Sequence, residues 1–460
     1  MTETKPIRKG RIRWLALLLC VLAIVFFASV LSIVYVNQYE IVQSQIESLN
    51  DEHKGLISIE DIHLAPFKNF PYVSLKVDSV RVMETKAENS PVILDVADIY
   101  VGFDLLDILT GNFDIQTLLI EEGFFKIVFH EDGTTNIENA LATPDDVEAS
   151  EPPNIHLKSI KLVNLDIHKL NESTATDIET FIYLAEGGFE SDNGNISAHI
   201  DTEFELNLIQ AGDTTYINHK HFEFHTDFYF NEQSGLLTFE PSGITLEHSD
   251  FQLEGIIDTK NDMDLDLAIK GAKSNFDMLI AFAPTDLVPV LERYENAGKI
   301  YLNAVIKGPS VNGKQPFFDA HFGASEAFLE NVMQGRRIDN LGFQGHFTNG
   351  ADRHMRTTEF SLTEMTARME TGEVFGSIVV KNFEEPEIDM QVKTSFELQW
   401  LDEFLQLEEI SNAQGRVSTD VRFHDIVDIE HPELALSDLN QAYFLELILD
   451  SFWLIEVILI

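Results

Sequence analysis

Leu265-Asp266-Leu267-Ala268-Ile269-Lys270 alternates apolar and polar side chains, and two segments follow it: the helix-like Met278-Leu279-Ile280-Ala281-Phe282 and the glycine-led Gly298-Lys299-Ile300-Tyr301-Leu302-Asn303. The same order returns in Ile388-Asp389-Met390-Gln391-Val392-Lys393, then Leu398-Gln399-Trp400-Leu401-Asp402-Glu403-Phe404-Leu405, then Gly415-Arg416-Val417-Ser418-Thr419-Asp420. The offset is about 120 residues, which reads as an internal repeat. A period of two belongs to a strand with one dry and one wet face. A strand, helix, strand unit that recurs predicts a sheet grown by repetition, elongated rather than spherical.

The alternation continues toward the N-terminus in Leu56-Ile57-Ser58-Ile59-Glu60-Asp61-Ile62-His63-Leu64, in Tyr72-Val73-Ser74-Leu75-Lys76-Val77, in Val92 to Val96, in Ile99 to Phe103 and in Phe124 to Phe129. Asp104 to Thr110 reads as one or two helical turns closed by Gly111. Turn clusters such as Asp192-Asn193-Gly194-Asn195 and Glu232-Gln233-Ser234-Gly235 join short strands into a mainly antiparallel sheet. Thr143 to Pro153 is acidic, contains proline and lacks apolar periodicity, which predicts a linker. With about 20 strands at ~4.8 Å spacing, such a sheet would extend on the order of 100 Å.

At the N-terminus Lys5, Arg8, Lys9, Arg11 and Arg13 precede an uncharged, largely apolar run from Trp14 to Val36, and no basic residue follows until Lys54. The run is long enough for a membrane-spanning helix, and the charge asymmetry places the N-terminus in the cytoplasm and the body outside. Trp14, Tyr35 and Tyr39 bracket it as interfacial aromatics. A cleaved signal peptide would have a shorter apolar core ending in a small-x-small site, whereas Ile33-Val34-Tyr35-Val36 continues the run. Gln38 to Asn50 then reads as a separate short amphipathic helix. Cys20 follows Leu19 rather than a small residue, against lipoprotein processing; as the single cysteine it rules out an internal disulfide.

The net charge of −46 becomes more negative once the basic N-terminus is set aside, which makes nucleic acid a poor partner. Solubility explains the acidity best, and 44 % apolar residues exclude a disordered acidic tail.

Few residues point to chemistry. Gly308-Pro309-Ser310-Val311-Asn312-Gly313-Lys314 has the spacing of a phosphate loop, but Gln315 stands where Ser or Thr would hold magnesium, and a β-like Phe317-Phe318 stands where a helix is needed. It reads as a turn between strands. Nucleophile-elbow and H-E-x-x-H motifs are lacking. On one strand His219, His221, Glu223, His225 and Asp227 share a face, and neighbours two apart can chelate zinc or copper. Because Phe222, Phe224, Phe228 and Phe230 make the dry face of that strand, the histidines read as its wet one. Asp262, Asp264 and Asp266 read likewise as a solvated edge. No catalytic residue, metal or cofactor is expected.

The series from Gly55 to Leu64, Phe70-Pro71-Tyr72-Val73-Ser74-Leu75-Lys76-Val77-Asp78-Ser79-Val80-Arg81-Val82, Asp107-Ile108-Leu109-Thr110-Gly111-Asn112-Phe113-Asp114-Ile115 and Asp132-Gly133-Thr134-Thr135-Asn136-Ile137 resembles the N-terminal region of the AsmA family of bacterial envelope proteins. The repeat resembles that family's C-terminal region. The resemblance implies an inner-membrane anchor and a periplasmic body related to TamB-like and chorein-type bridge proteins, in which a curved β-sheet groove carries phospholipid acyl chains. On this basis residues 1–13 are a cytoplasmic basic segment, 14–36 the anchor and 37–142 a chorein-type β module. An acidic linker at 143–153 follows, then a β-groove body at 154–350 with the first repeat, and the second repeat at 351–460. Ile99, Val101 and Phe103 are expected to line the groove near the membrane, and Phe222, Phe224, Phe228 and Phe230 in its middle third.

The expected partners are the inner membrane, phospholipid and an outer-membrane or periplasmic protein. A scaffold or regulator of outer-membrane protein assembly is the alternative function, and a metal-dependent enzyme at the histidine strand the least favoured. The apolar ending Tyr443 to Ile460 holds Glu446, Asp450 and Glu456, against a second span. It reads as the end of a shortened or frame-shifted version of a longer repeat protein.

Overall fold

The computed structural model describes the backbone of residues 9–110, 114–143, 157–173, 176–192, 194–210, 218–283, 288–310, 314–406 and 415–426. Within these, the side chains at 9–20, 23–24, 27, 41, 45, 109, 176, 192, 208–210 and 425–426 lie outside the description, as does the apolar ending from 427 onward. The fold is mainly β, with nineteen strands assigned to one sheet. The chain divides into two compact units, 1–190 with 198–215, and 191–197 with 216–460.

In the first unit one helix, α1 (Lys9–Glu52), precedes β1 (Leu56–Ser58), β2 (Asp61–Ala65), β3 (Val73–Met83) and β4 (Val92–Phe103). Next come α2 (Leu105–Thr110), β5 (Ile115–Phe129), α3 (Asn136–Leu141), β6 (Ser159–Asn171), β7 (Thr176–Asp192) and β8 (Asn195–Gln210). The expected separate helix at Gln38–Asn50 is the continuation of α1, because no glycine, proline or cap interrupts the chain between Trp14 and Asn50. Among the described residues no helix is long and apolar enough to cross a membrane.

The far half of α1 lies on the sheet. Val30 and Val34 are fully buried against Ile62, Val73, Leu75, Phe103 and Ile108. Farther along, Val42 packs beside Val77, Val80, Val96 and Leu165. The Tyr39 hydroxyl donates to Asp61 Oδ1 (2.6 Å), and Asn50 both accepts from and donates to the Ile57 backbone.

β1 and β2 both pair with β3, then β3 with β4 and β4 with β5, all antiparallel. β5 and β6 pair in parallel, an exception to the antiparallel expectation. Parallel neighbours need a long crossover, and α3 with the acidic stretch supplies it. From residue 144 on, the expected linker at 143–153 lies outside the described residues, and the two units divide near 190–216. The Asp132-Gly133-Thr134-Thr135-Asn136 segment starts α3 with a Thr135–Glu138 capping box. Asn136, 1 % exposed, accepts from Val128 N–H and donates to the Lys126 carbonyl, taking the place of a strand neighbour at the end of β5.

The second unit is an antiparallel meander. It runs β9 (Lys220–Asn231), β10 (Leu236–Leu246), β11 (Ser249–Asp258), β12 (Asp264–Lys273), β13 (Glu295–Gly308) and β14 (Phe317–Asn331). β15 (Arg336–Thr348), β16 (Glu359–Met369), β17 (Gly372–Lys381), β18 (Glu387–Glu397) and β19 (Arg416–Ile426) complete it. Each strand pairs with the next. Among the described residues short α-helices interrupt it in two places, α4 (Asp277–Ile280) and α5 (Val288–Leu291) between β12 and β13, and α6 (Leu398–Leu405) between β18 and β19, and a 3-10 turn (Met355–Thr357) lies between β15 and β16. This is the strand, helix, strand order of the repeat.

Pro241 lacks an N–H and falls where the register of β10 shifts against both neighbours, so the bulge absorbs it.

Candidate functional site

The register of the second unit lines up its apolar residues. Phe224 stands opposite Ile244, and Ile244 opposite Phe251. A parallel row passes from Leu253 through Ile269, Ala304 and Ala320 to Phe347. It continues through Phe360 and Val380 to Ile388. Because side chains alternate between faces, all of these project from one side of the sheet.

Two short helices cap one end of this face. Gly271 leaves room for the first: a Cβ there would lie 2.6 Å from Met278 Sδ and 2.7 Å from Phe251 Cδ1. Met278 of α4 is fully buried among Phe251, Ile300, Leu302 and Ala324. In the second repeat Trp400 and Phe404 of α6 stack (centroids 5.0 Å, 11°) and bury Met369, with Ile338 and Val374 partly covered around them. Ile306, Phe318, Phe347, Phe360, Val380 and Ile388 belong to neither capped cluster and are half-buried. Phe318 and Phe347 meet edge to face at 5.8 Å. An aliphatic chain laid on this part of the sheet would meet aromatic and branched side chains beside the small Ala304 and Ala320.

The expected groove residues divide between the units. Phe222 and Phe224 are half-buried, Phe222 at the margin of the Met278 cluster, while Phe228 packs on Phe239 (6.2 Å) and Phe230 stands opposite Leu237. In the first unit Ile99, Val101 and Phe103 share one face of β4, but α1 covers it. Phe103 is only 2 % exposed in the Val30 and Val34 cluster, Val101 packs on the same cluster, and Ile99 packs with Val77 and Val96. These three serve the helix–sheet core rather than an open groove.

The opposite face is polar. Cross-strand pairs such as Lys270–Glu254 (2.6 Å) and Lys307–Asp266 (3.0 Å) run along it, and at the end of β12 Lys273 reaches Asp250 (2.9 Å). The Lys273 ammonium holds the Asp250 carboxyl below its usual range. Such exposed pairs add little stability. His221, Glu223, His225 and Asp227 stand on this face of β9, with His219 just ahead at a φ of 49°. His221 Nε2 lies 3.8 Å from Glu223, and Glu247 accepts from the His221 N–H. Among the described residues, the groups whose three ligand atoms lie within 4.8 Å of one another are Asp319, His321 and His346, and His168, Asp177 and Glu179.

Asp264 and Asp266 lie on β12, and Asp262 in the turn before it. The stretch with phosphate-loop spacing leads from β13 into β14 rather than into a helix, and Lys314 is tied to Asp262. Ser310 bonds to the backbone of Asp262 and Met263.

No family model, no curated protein and no solved structure matches this chain. The likeness to the AsmA family rests on the order of the motifs alone.

Proposed function

We propose that the protein is a membrane-anchored, AsmA-like carrier of phospholipid acyl chains, held in the bacterial inner membrane with its body in the periplasm and acting toward the outer membrane. The observation that supports this most is the half-buried apolar face of the second unit, in register from strand to strand and, among the described residues, capped by helices at one end only. In an ordinary sandwich a second layer would cover such a face. Burial of lipid tails there is favourable at roughly 25 cal/mol per Å² of apolar surface.

The anchor reading gains support from the first unit. Ahead of the buried Val30, Trp14–Ser29 supplies on the order of 24 Å of helix at 1.5 Å per residue, slightly less than the ~30 Å hydrocarbon core. The end of the sheet nearest that stretch is itself apolar. Val73 pairs with Phe103 there, and the adjoining loop and α2 hold out Phe67, Phe70 and Leu106 at 70, 73 and 66 % exposure. Seated in the interface, these side chains would each gain ~1.5–3 kcal/mol and make up the missing length.

The test is a photo-crosslinking residue at Phe360, on the uncapped apolar face, and separately at Ser361, which points the other way. Illumination in cells should give phospholipid adducts at 360 and none at 361. Protein adducts alone at 360 would favour a scaffold of outer-membrane assembly, and equal lipid labelling at both positions would reject the conduit.

A further inference from the structure

Asp319 and His321 stand two apart on β14, so both project from the polar face. β15 sets His346 directly opposite His321. The two imidazoles stack, with centroids 4.4 Å apart and planes 10° from parallel. One carboxylate reaches both rings: Asp319 Oδ1 lies 3.1 Å from His321 Nε2, and Oδ2 lies 2.8 Å from His346 Nε2. The Asp319 and His346 side chains are mostly covered, at 22 and 28 % exposure, while His321 at 60 % keeps the cluster open to water.

We propose that Asp319, His321 and His346 bind one divalent transition-metal ion, of which zinc is the best fit, as a clamp across β14 and β15. The donor set selects the class of ion. Two imidazole nitrogens and a carboxylate suit zinc, cobalt, nickel or copper, whereas magnesium and calcium prefer oxygen alone. Each ring turns Nε2 toward a different oxygen of the one carboxylate, and the three ligand atoms all lie within 4.8 Å of one another; tilting the stacked rings apart brings the three ligands to the ~2.0–2.2 Å that zinc requires. Each imidazole then binds neutral, its remaining proton on Nδ1, and water takes the fourth position.

The place in the fold supplies a reason for a clamp. The β14–β15 pairing contains two register irregularities beyond Ala324, and with one cysteine the chain has no disulfide to pin its strands. Directly behind the cluster, Ala320, Phe322 and Phe347 belong to the apolar face. An ion held by both strands fixes the spacing of that part of the face whatever lies on it, so the inference does not depend on the lipid reading. The other three-ligand group among the described residues offers one imidazole and two carboxylates, with His168 Nδ1 and Glu179 Oε1 3.9 Å apart, a harder donor set that suits zinc less well.

The full-length protein in detergent, stripped with a chelator, is titrated with Co²⁺ and read by visible absorption, then with Zn²⁺ against a chromophoric chelator. One ion per chain is expected, with tetrahedral cobalt absorption and a rise in melting temperature on adding zinc. His346→Gln and Asp319→Asn should each weaken binding by about 100-fold or more, since even loss of a group one step removed from a metal typically costs roughly 10- to 100-fold. Both should abolish the thermal shift, with circular dichroism unchanged. Two variants guard against one of them failing to fold. A His219→Gln, His221→Gln, His225→Gln triple variant should bind like the wild type. Equal affinity in wild type and His346→Gln, or several weak ions displaced by millimolar Ca²⁺, would overturn the proposal in favour of diffuse attraction to an acidic surface.

Discussion

Phe347→Asp places a carboxylate in the middle of the uncapped face, where Phe347 meets Phe318 at 5.8 Å and Phe383 at 6.4 Å. An acyl chain lying across the strands passes one every ~4.8 Å, a distance of roughly four methylenes, each worth ~0.8 kcal/mol when buried. Losing that contact at one strand costs about 3 kcal/mol, on the order of 100-fold in retention at 1.4 kcal/mol per tenfold. The carboxylate, desolvated by the chain and unpaired, adds to the loss. The control is Phe375→Asp. Phe375 is 47 % exposed, stands opposite Thr366 and Lys393, and projects from the polar side. Both proteins are purified at full length, and phospholipid per chain is measured by mass spectrometry after organic extraction. Phe347→Asp should lose at least nine-tenths of its lipid and Phe375→Asp almost none. Equal losses, or full retention by a natively folded Phe347→Asp, would refute the reasoning.

Three further outcomes are expected. With Cys20 replaced by Ala, cysteines placed at Lys86 and Ser191, both exposed, should react with a membrane-impermeant thiol reagent in intact spheroplasts; protection until lysis would reverse the topology. Gly271→Val drives a side chain into Met278 and Phe251 and should destabilise the second unit by ~1–3 kcal/mol, read from the urea midpoint, while the equivalent change at the open Gly243 does much less. His130 accepts the influence of Glu172 (3.1 Å) first and Glu84 next, which raises its pKa above the ordinary value. Its contribution is complete below the ordinary histidine range near ~6.5 and is lost as pH rises through the raised folded value. His130→Gln should therefore flatten the fall in stability of the first unit across that window, and an unchanged slope in thermal melts would count against the pairing.

Much of the fold was legible because strand periodicity is local. Leu265 to Lys270 alternates, and that alone puts Leu265, Leu267 and Ile269 on one side wherever the strand comes to lie. The strand, helix, strand order of the repeat was readable for the same reason, as was the turn at Gly308 to Lys314, where Pro316 and Phe317 forbid the helix of a phosphate loop. On β9 the alternation puts Phe222 and Phe224 on one face and His221 and His225 on the other, and the pairing with β10 keeps that division.

What covers a face is a different matter. Ile99, Val101 and Phe103 show the same alternation as Phe222 and Phe224, yet α1 buries Phe103 because Val30 and Val34, within the apolar run itself, pack onto the sheet. Nothing in β4 itself announces that neighbour. The parallel pairing of β5 and β6 depends likewise on where the chain returns after α3. The cluster at Asp319 shows the limit most plainly. Asp319-Ala320-His321 is visible in sequence, but His346 joins it only through the β14–β15 register. Alternation along a strand is set by the covalent geometry of one chain, and so the sequence by itself determined which side chains share a face; register and layering are set by contacts between distant segments, and so only the tertiary structure decided which faces are covered and which ligands meet.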